Sequence, residues 1–366
     1  MFDVCVRGSG AVALTAALAL ARQGLAVALQ SQDPPAAARA DVRTYALNAG
    51  AVKLLASLKV WEALPEDART PVFDMEVAGD AGASLHFSSW AQGASQLAFI
   101  VDAAELEAVL RAAARFAPHV SRVDGDVEAA LLVLAEGKAS ATRERLGVQM
   151  DLHRYGQRAV AARLVADRPH AGLARQWFRS PDILALLPFD RPQAGCSHGL
   201  VWSVPDERAA ELMALAPGDF EQQLADATCG AAGVLRLAGE RADWPLMIGR
   251  ADRICGPGWV LVGDAAHVVH PLAGQGLNLG LADIAVLAEV LAAREPWRGL
   301  GDERLLRRYA RLRDLPVRAM GHVTDGLLHL FASDAPLLRE LRNHGMNLVD
   351  RLTPIKRFLT ARALDA

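Results

Sequence analysis

Apolar residues fall along this chain in two rhythms, short unbroken runs and stretches spaced three and four apart, and the changes between them mark the elements. The run at 2–6 is of strand type, 14–23 is an alanine-rich helix closed by Gly24, and 25–29 is a second strand, which together have βαβ spacing. Val52, Leu54, Leu55 and Leu58 mark an amphipathic helix closed near Trp61. Residues 99–102 lead into a helix through Leu106, Val109 and Leu110, and 131–134 is a buried strand. From Asp151 to about Met247 the pattern changes to strands at 159–165, 184–189, 200–204 and 244–248, interrupted by helical stretches near 207–215 and 219–227. A meander of this kind predicts a largely antiparallel sheet rather than a second parallel unit.

Residues 259–262 return to a buried strand bounded by glycine, and Leu277, Leu279, Leu281, Ile284, Leu287 and Leu291 keep a helical spacing after it. Beyond them 302–331 reads as helix with Pro316 inside, which predicts a kink or two helices meeting there, and 335–349 and 354–363 continue as helices. The fold class is α/β: a Rossmann-like domain with a parallel central sheet, an inserted, mainly antiparallel sheet, and a C-terminal helical region. The expected boundaries are 1–150, with an excursion into the second sheet near 70–100, then 151–250, 251–295 and 296–366.

Composition narrows this picture. With 366 residues, 52% hydrophobic residues and a formal charge of −3, the chain can bury a large core and carries no nucleic-acid footprint. Cys5, Cys196, Cys229 and Cys255 are scattered without a CxxC pair, so inert thiols in a reducing cytoplasm are expected. No apolar run reaches about 18 residues, and the start is strand rather than a basic-then-apolar signal, so the protein is expected to be soluble or peripheral.

Two stretches carry chemistry. The turn Gly8-Ser-Gly10-Ala-Val-Ala13 sits between the first strand and its helix, where glycines let the backbone approach a pyrophosphate at the helix amino end and Ala13 lets helix and strand pack closely. The acidic residue expected about twenty positions on, to hold ribose hydroxyls, is Gln30, which accepts and donates without charge assistance. The second stretch runs from Gly258 to Asp283. Its strand ends at Gly263 and puts Asp264 at the carboxyl end, where open α/β sheets hold ligands. Pro271, Gly274 and Gly276 form a turn, and the free N–H groups of the next helix, from about Gly276 to Asn278, aim back at it. His267 and His270 with Asp264 suggest a metal site, but their spacing suits one only on a helical face, which Pro271 and the glycines oppose; no metal is expected.

The stretch Gly-Asp-Ala-Ala-His-Val-Val-His-Pro-Leu-Ala-Gly-Gln-Gly-Leu-Asn-Leu-Gly-Leu-Ala-Asp resembles the flavin-contacting motif of FAD-dependent aromatic-ring monooxygenases, and from His270 to Gly280 most resembles the ubiquinone-biosynthesis hydroxylases. The resemblance implies that Asp264 holds the flavin ribityl chain and that the backbone of Gly274, Gln275, Gly276, Leu277 and Asn278 lies beside the isoalloxazine ring. The segment beginning Asp41-Val-Arg43 is similar to a family stretch whose arginine lies near the flavin and its phosphates. Ala135-Glu136-Gly137 looks like the family's Ala-Asp-Gly motif with glutamate for aspartate, which touches the pyrophosphate side or NAD(P)H. The segment from 110 to 131 is shorter than the family's, which usually places extra antiparallel strands there.

In the second sheet, Tyr155-Gly-Gln157, Pro169-His170, Leu187-Pro188-Phe189 and Val201-Trp202 resemble family signatures. Tyr155 and Gln157, with His270 and Pro271, are the pocket candidates; Phe189 and Trp202 read as core, and His170 as a satisfied structural histidine. The implied activity is hydroxylation of a lipophilic aromatic substrate, a prenylated phenol, by O2 through a flavin C4a-hydroperoxide. The cofactor is FAD, and NAD(P)H is a transient reductant without a Rossmann site of its own. Arg339, Arg342, Arg351, Lys356, Arg357 and Arg362 lie among leucines, as in a basic tail touching a membrane, a quinone-biosynthesis assembly, or simply solvent. Two alternatives stay open: another flavin oxidoreductase of the same fold, such as a reductase or halogenase, and a non-catalytic lipid-binding or scaffold member of a quinone-biosynthesis assembly.

Overall fold

A computed structural model describes residues 1–31, 41–79, 84–269 and 275–332, of which 275 and 320–332 by their backbone. Among these, a six-stranded sheet is formed by β1 (Phe2–Arg7), β2 (Val27–Gln30), β8 (Val120–Arg122), β9 (Ala129–Leu134), β15 (Cys255–Gly256) and β16 (Trp259–Leu261), elements being numbered in chain order, and its spatial order is β15-β16-β9-β1-β2-β8. All neighbours but the β15–β16 hairpin are parallel. Val4, Val6, Val27, Leu131 and Val133 are fully buried because helices cover the faces of such a sheet, which is why these strands read as unbroken apolar runs.

Helix α1 (Ala11–Ala21) is buried at every position but Val12. A helix apolar all round belongs in a core, and its alanines let α4 (Ala103–Phe116) and α8 (Gln275–Ala292) pack against it. Gly10, in extended conformation, is its N-cap, so the helix starts three residues earlier than the apolar spacing indicates; the alanines of the glycine turn are themselves strong helix formers.

The second sheet is eight-stranded: β5 (Asp74–Ala78), β6 (Ser84–Ser88), β10 (Met150–Ala166), β11 (Leu173–Arg179), β12 (Asp182–Phe189), β13 (Ser197–Pro205), β14 (Leu235–Ala251) and β17 (His267–Val268), in the order β17-β14-β10-β13-β12-β11-β5-β6. It is antiparallel except for the β5–β11 pair. One face is covered by α6 (Asp206–Ala214) and α7 (Pro217–Thr228), with Leu184, Leu186, Trp202 and Phe220 between them. Strand alternation therefore turns Ala185, Leu187 and Val201 to the opposite face.

A three-stranded sheet of β3 (Thr44–Leu47), β4 (Arg69–Val72) and β7 (Ala98–Asp102) stands between the larger two. Val72 and Ile100 pack on Ala174 and Phe189. At Gly199 a Cβ would lie 2.6 Å from the Thr44 hydroxyl, so glycine is what lets β13 meet β3. Short helices α2 (Ala49–Ser57), α3 (Ser89–Gln92) and α5 (Ala141–Arg145) and the long α9 (Glu303–Ala332) complete the described elements.

The structure departs from the sequence pattern at several elements. β11 carries Arg175 and Gln176 in mid-strand, which breaks its apolar alternation. β8 pairs in parallel with β2 in the segment from 110 to 131, where the apolar pattern marks no strand. β2 starts at Val27 rather than Leu25. α9 is one helix running through Pro316, not two meeting at it. The expected helices at 335–349 and 354–363, and the basic tail, lie outside the described residues.

Candidate active site

The carboxyl ends of β1, β9 and β16 lie side by side, and the turns that leave them border a single cavity of about 690 Å³. Gly10 and Ala13 from the first glycine turn, Arg43 next to β3, and Asp264, Gly276 and Leu277 from the late motif all line it. Two corners more than 200 residues apart in sequence thus face the same space.

The first corner depends on Gly8. Its φ is +139°, and a Cβ there would lie 2.2 Å from the carbonyl oxygen of Ala135, so only glycine lets β1 pass under the loop leaving β9. From Gly10 onward α1 points its amino end at the cavity, with Ala11, Val12 and Ala13 in the wall. The first N–H groups of a helix have no intrahelical acceptor, and the helix dipole favours an anion beside them. At the end of β2 the buried Gln30 Oε1 has no hydrogen-bond partner among the described residues, although Gln30 stands outside the cavity wall. A buried acceptor left unpaired is what a ligand hydroxyl would satisfy.

Asp264 follows β16 in a tight turn begun by Gly263, whose φ is +59°. Its carboxylate opens on the cavity and has no hydrogen bond among the described residues. The protein around that opening is dense, and desolvation pushes the carboxyl above its ordinary range against the opposing pull of His267, Lys138 and Arg43. A hydroxyl ligand donates to the ionised form and so favours it. Affinity for such a ligand is therefore full above the raised pKa and falls as pH drops through it. Titrating FAD into the apoprotein across pH should show this fall beginning above the ordinary aspartate range, and Asp264→Asn should remove it.

The other candidates fall differently. The Arg43 guanidinium is held in a fork by Asp41, at 2.8 Å from Nε and 2.6 Å from Nη2, and lies 3.8 Å from Glu107, so its charge is already partly matched and its pKa is raised by Asp41. Lys138, from the loop after β9, lines the same wall with no ion pair among the described residues; the sequence pattern did not single it out. Glu136 turns into its own loop, accepting from the Ser140 hydroxyl at 2.5 Å, the Thr142 hydroxyl at 2.8 Å and the Thr142 N–H at 3.2 Å, rather than reaching the cavity. Arg143, 3% exposed, ties this loop to the Asp264 turn by donating to the Lys138 and Ala265 carbonyls.

Asn278 is buried with its side chain between Ala46 O and the Asn48 N–H, at 2.8 and 3.1 Å, so it joins α8 to β3 and α2 instead of facing the cavity. Gly280 closes the quoted motif, but no packing role was read for it in the sequence. A Cβ there would lie 2.7 Å from Val12 and 3.3 Å from the Gly263 Cα, so it sets the approach of α8 to both glycine corners; a glycine inside a helical apolar pattern was the available signal. His270, Pro271 and Gly274 lie outside the described residues, and Gln275 opens α8.

Neither Tyr155 nor Gln157 lines the cavity. Gln157 donates to the Pro181 carbonyl at 3.3 Å, and the Tyr155 ring meets His153 edge-on at 5.7 Å. β10 is 17 residues long with a register shift between Arg154 and Arg158, and it reaches the cavity farther along, at Ala161. His170 accepts from the Gly172 N–H at 3.0 Å and pairs with Asp190 at 3.3 Å, and so is satisfied away from the site. His267 is paired with Asp283, and among the described residues no cluster of three or more metal-ligating side chains occurs.

Beyond the glycine corners the cavity wall is mainly apolar, with Met75, Ile100, Ala185, Trp244 and Met247, and carries Arg175 and Gln176 of β11 as well. Tyr45 borders it as well, its hydroxyl pushed up to about 12 mainly by burial, so it is a neutral hydrogen-bond donor near neutral pH.

A family model described as an FAD binding domain matches residues 92–323. The chain is 33% identical over 390 residues to the ubiquinone hydroxylase UbiL of Rhodospirillum rubrum, an alignment covering 99% of this chain and 89% of that protein. It is 28% identical to the 3-demethoxyubiquinol 3-hydroxylase of Escherichia coli, covering 97% and 96%. Its fold superposes on the crystal structure of PqsL, a probable FAD-dependent monooxygenase from Pseudomonas aeruginosa, with a TM-score of 0.76 at 21% identity over 94% of this chain and 99% of that one. The donor and acceptor set around the cavity fits a dinucleotide: helix N–H groups for a pyrophosphate and an unpaired carboxylate for hydroxyls. The chain belongs to the FAD-binding monooxygenase family that includes the ubiquinone hydroxylases.

Proposed function

We propose that this protein is an FAD- and NAD(P)H-dependent monooxygenase that hydroxylates the ring of a lipophilic phenol in ubiquinone biosynthesis. One observation carries the reading: the cavity bordered by both glycine corners is the same one that a largely apolar wall from the second sheet lines. FAD, when bound and reduced by NAD(P)H, supplies the oxygen chemistry. The amino end of α1 would hold the pyrophosphate, Asp264 the polyol hydroxyls, and the backbone at Gly276 and Leu277 the edge of the ring system. The apolar wall takes the aromatic ring and excludes water, and Tyr45 offers a neutral donor to a phenolic oxygen.

The test is a visible spectrum with and without added FAD, followed by NAD(P)H oxidation with a prenylated phenol under labelled O2. A product carrying one oxygen atom from O2 is expected, and a protein that takes up no FAD would exclude the reading. Ala185, on the cavity face of β12, gives a sharper check. Ala185→Phe should leave the flavin spectrum intact while kcat/KM for the phenol falls about a hundredfold, the scale of displacing a reacting ring by an ångström.

A lipophilic substrate also favours work at a membrane surface. Among the described residues no helix is long and apolar enough to cross a membrane. The exposed side of α9, however, carries Arg304, Arg307, Arg311 and Arg318 around Leu312 and Leu315, which are 57% and 75% exposed. Such a surface suits anionic lipid. Co-sedimentation with anionic but not neutral vesicles is expected, lost with Leu312→Glu and Leu315→Glu together; equal sedimentation with both lipids would count against it.

A further inference from the structure

Beneath the Asp264 turn lies a buried ionic knot that the cofactor reading does not use. Asp283, on α8, is fully buried. Its Oδ2 accepts from the Gly263 N–H at 2.8 Å and from His267 Nε2 at 2.7 Å, and its Oδ1 accepts from Arg313 Nε at 2.6 Å. Arg313 comes from α9, is 5% exposed, and also donates to the Leu279 carbonyl at 3.2 Å. One turn earlier on α9 the buried Tyr309 hydroxyl donates to Leu261 O at 3.0 Å, at the end of β16. Burial alone would push the Asp283 carboxyl up, but His267, Arg313 and the Gly263 N–H outweigh it and hold the group ionised.

Stability gives no reason for this arrangement, because a buried ion pair is commonly no better than well-packed apolar residues of similar volume. Its geometry gives one. The carboxylate grips the N–H of the residue immediately before Asp264, at a glycine held in the left-handed region and wedged against Val12 of α1. Rotation of that peptide would swing the Asp264 carboxylate away from the cavity.

We propose that Asp283 and Arg313 are positioning residues for Asp264, so that α9 forms part of the cofactor site without touching it: Asp283 orients the turn through Gly263, and Arg313 fixes the Asp283 carboxylate. This rests on the reading that Asp264 accepts hydroxyls of the bound flavin. Asp283 closes the late glycine-bearing stretch, whereas Arg313 lies outside both glycine motifs, 49 positions after Asp264 in the chain.

The experiment is a double-mutant cycle read as the FAD dissociation constant of apoprotein, with thermal unfolding of each apoprotein recorded beside it. Asp283→Asn should weaken FAD about tenfold to a hundredfold, the scale of losing a hydrogen bond to a charged group. In the Asp264→Ala background the same change should have no further effect, and Arg313→Lys should bind FAD more tightly than Arg313→Met. If Asp283→Asn does not fold, Asp283→Asn with Arg313→Met removes both charges together and is read in its place. An equal loss in both backgrounds, or a lower melting temperature with FAD affinity unchanged, overturns the positioning role alone. An Asp264→Ala protein that binds FAD as tightly as the parent overturns the Asp264 reading and the positioning role with it.

Discussion

Gly8→Ala is expected to yield a protein that is less stable and carries little or no FAD. The backbone at Gly8 has a φ of +139°, which L side chains rarely adopt, and the added methyl would sit 2.2 Å from one backbone atom, the Ala135 oxygen, and 2.8 Å from another, the Ala135 carbonyl carbon. No rotamer relieves a clash with main chain, so β1 or the loop after β9 must move. Strain at such a position costs about 1–3 kcal/mol and overpacking a similar amount, so a loss of about 3–4 kcal/mol in denaturant unfolding is expected. The same displacement moves the amino end of α1, which begins three residues on, away from the place where a pyrophosphate would lie. Gly10→Ala is the control. Its φ is −85° and a Cβ there meets nothing within 4 Å, so unfolding should change by no more than about 0.5 kcal/mol. If Gly8→Ala unfolds like the parent and keeps its flavin, the close approach is not what shapes this corner.

Asp264→Ala is expected to separate binding from stability in the opposite way. The carboxylate is exposed to the cavity with no hydrogen bond among the described residues, and the dense protein around it disfavours its charge, so the folded apoprotein gains nothing from it. Removing it should leave the apoprotein as stable as before or more so, while FAD binds about tenfold to a hundredfold more weakly. A stabilising substitution that costs function is the usual sign of a group kept for its ligand. Differential scanning calorimetry of apoprotein, with FAD titration by flavin fluorescence, measures the two effects. A destabilised apoprotein would show that Asp264 supports the fold instead.

The same contrast explains how much could be read in advance. The β1-turn-α1-β2 unit and the strand before Asp264 were legible because their signals are local: an apolar run, then glycines at the positions where the backbone turns sharply. Asp264 was legible because the end of a buried parallel strand is itself a position that can be found in one dimension. Tyr155 and Gln157 were misplaced because nothing within a 17-residue strand tells which part of it borders a cavity; that depends on where β10 crosses the other sheet.

Arg43 lines the cavity, but its partner Asp41 changes what it offers, and a fork between residues two apart depends on side-chain directions that spacing does not encode. The roles of Lys138, Gly280 and Asp283 were missed for a common reason. Each acts on a segment that is distant in sequence: Lys138 on the charge of Asp264, Gly280 on α1, and Asp283 on both Gly263 and α9.

By itself the amino-acid sequence determined that this is an α/β chain with two glycine-bearing corners, because backbone conformation at a glycine and burial of an apolar run follow from a few adjacent residues; the flavin was implied by the resemblance of the late motif to a known family. Only the tertiary structure decided that both corners open on one cavity, that Asp264 is left unpaired there, and that α9 reaches it through Arg313 and Asp283. Those are facts about which distant segments come within a few ångströms, and packing of the whole chain, rather than any local preference, sets such distances.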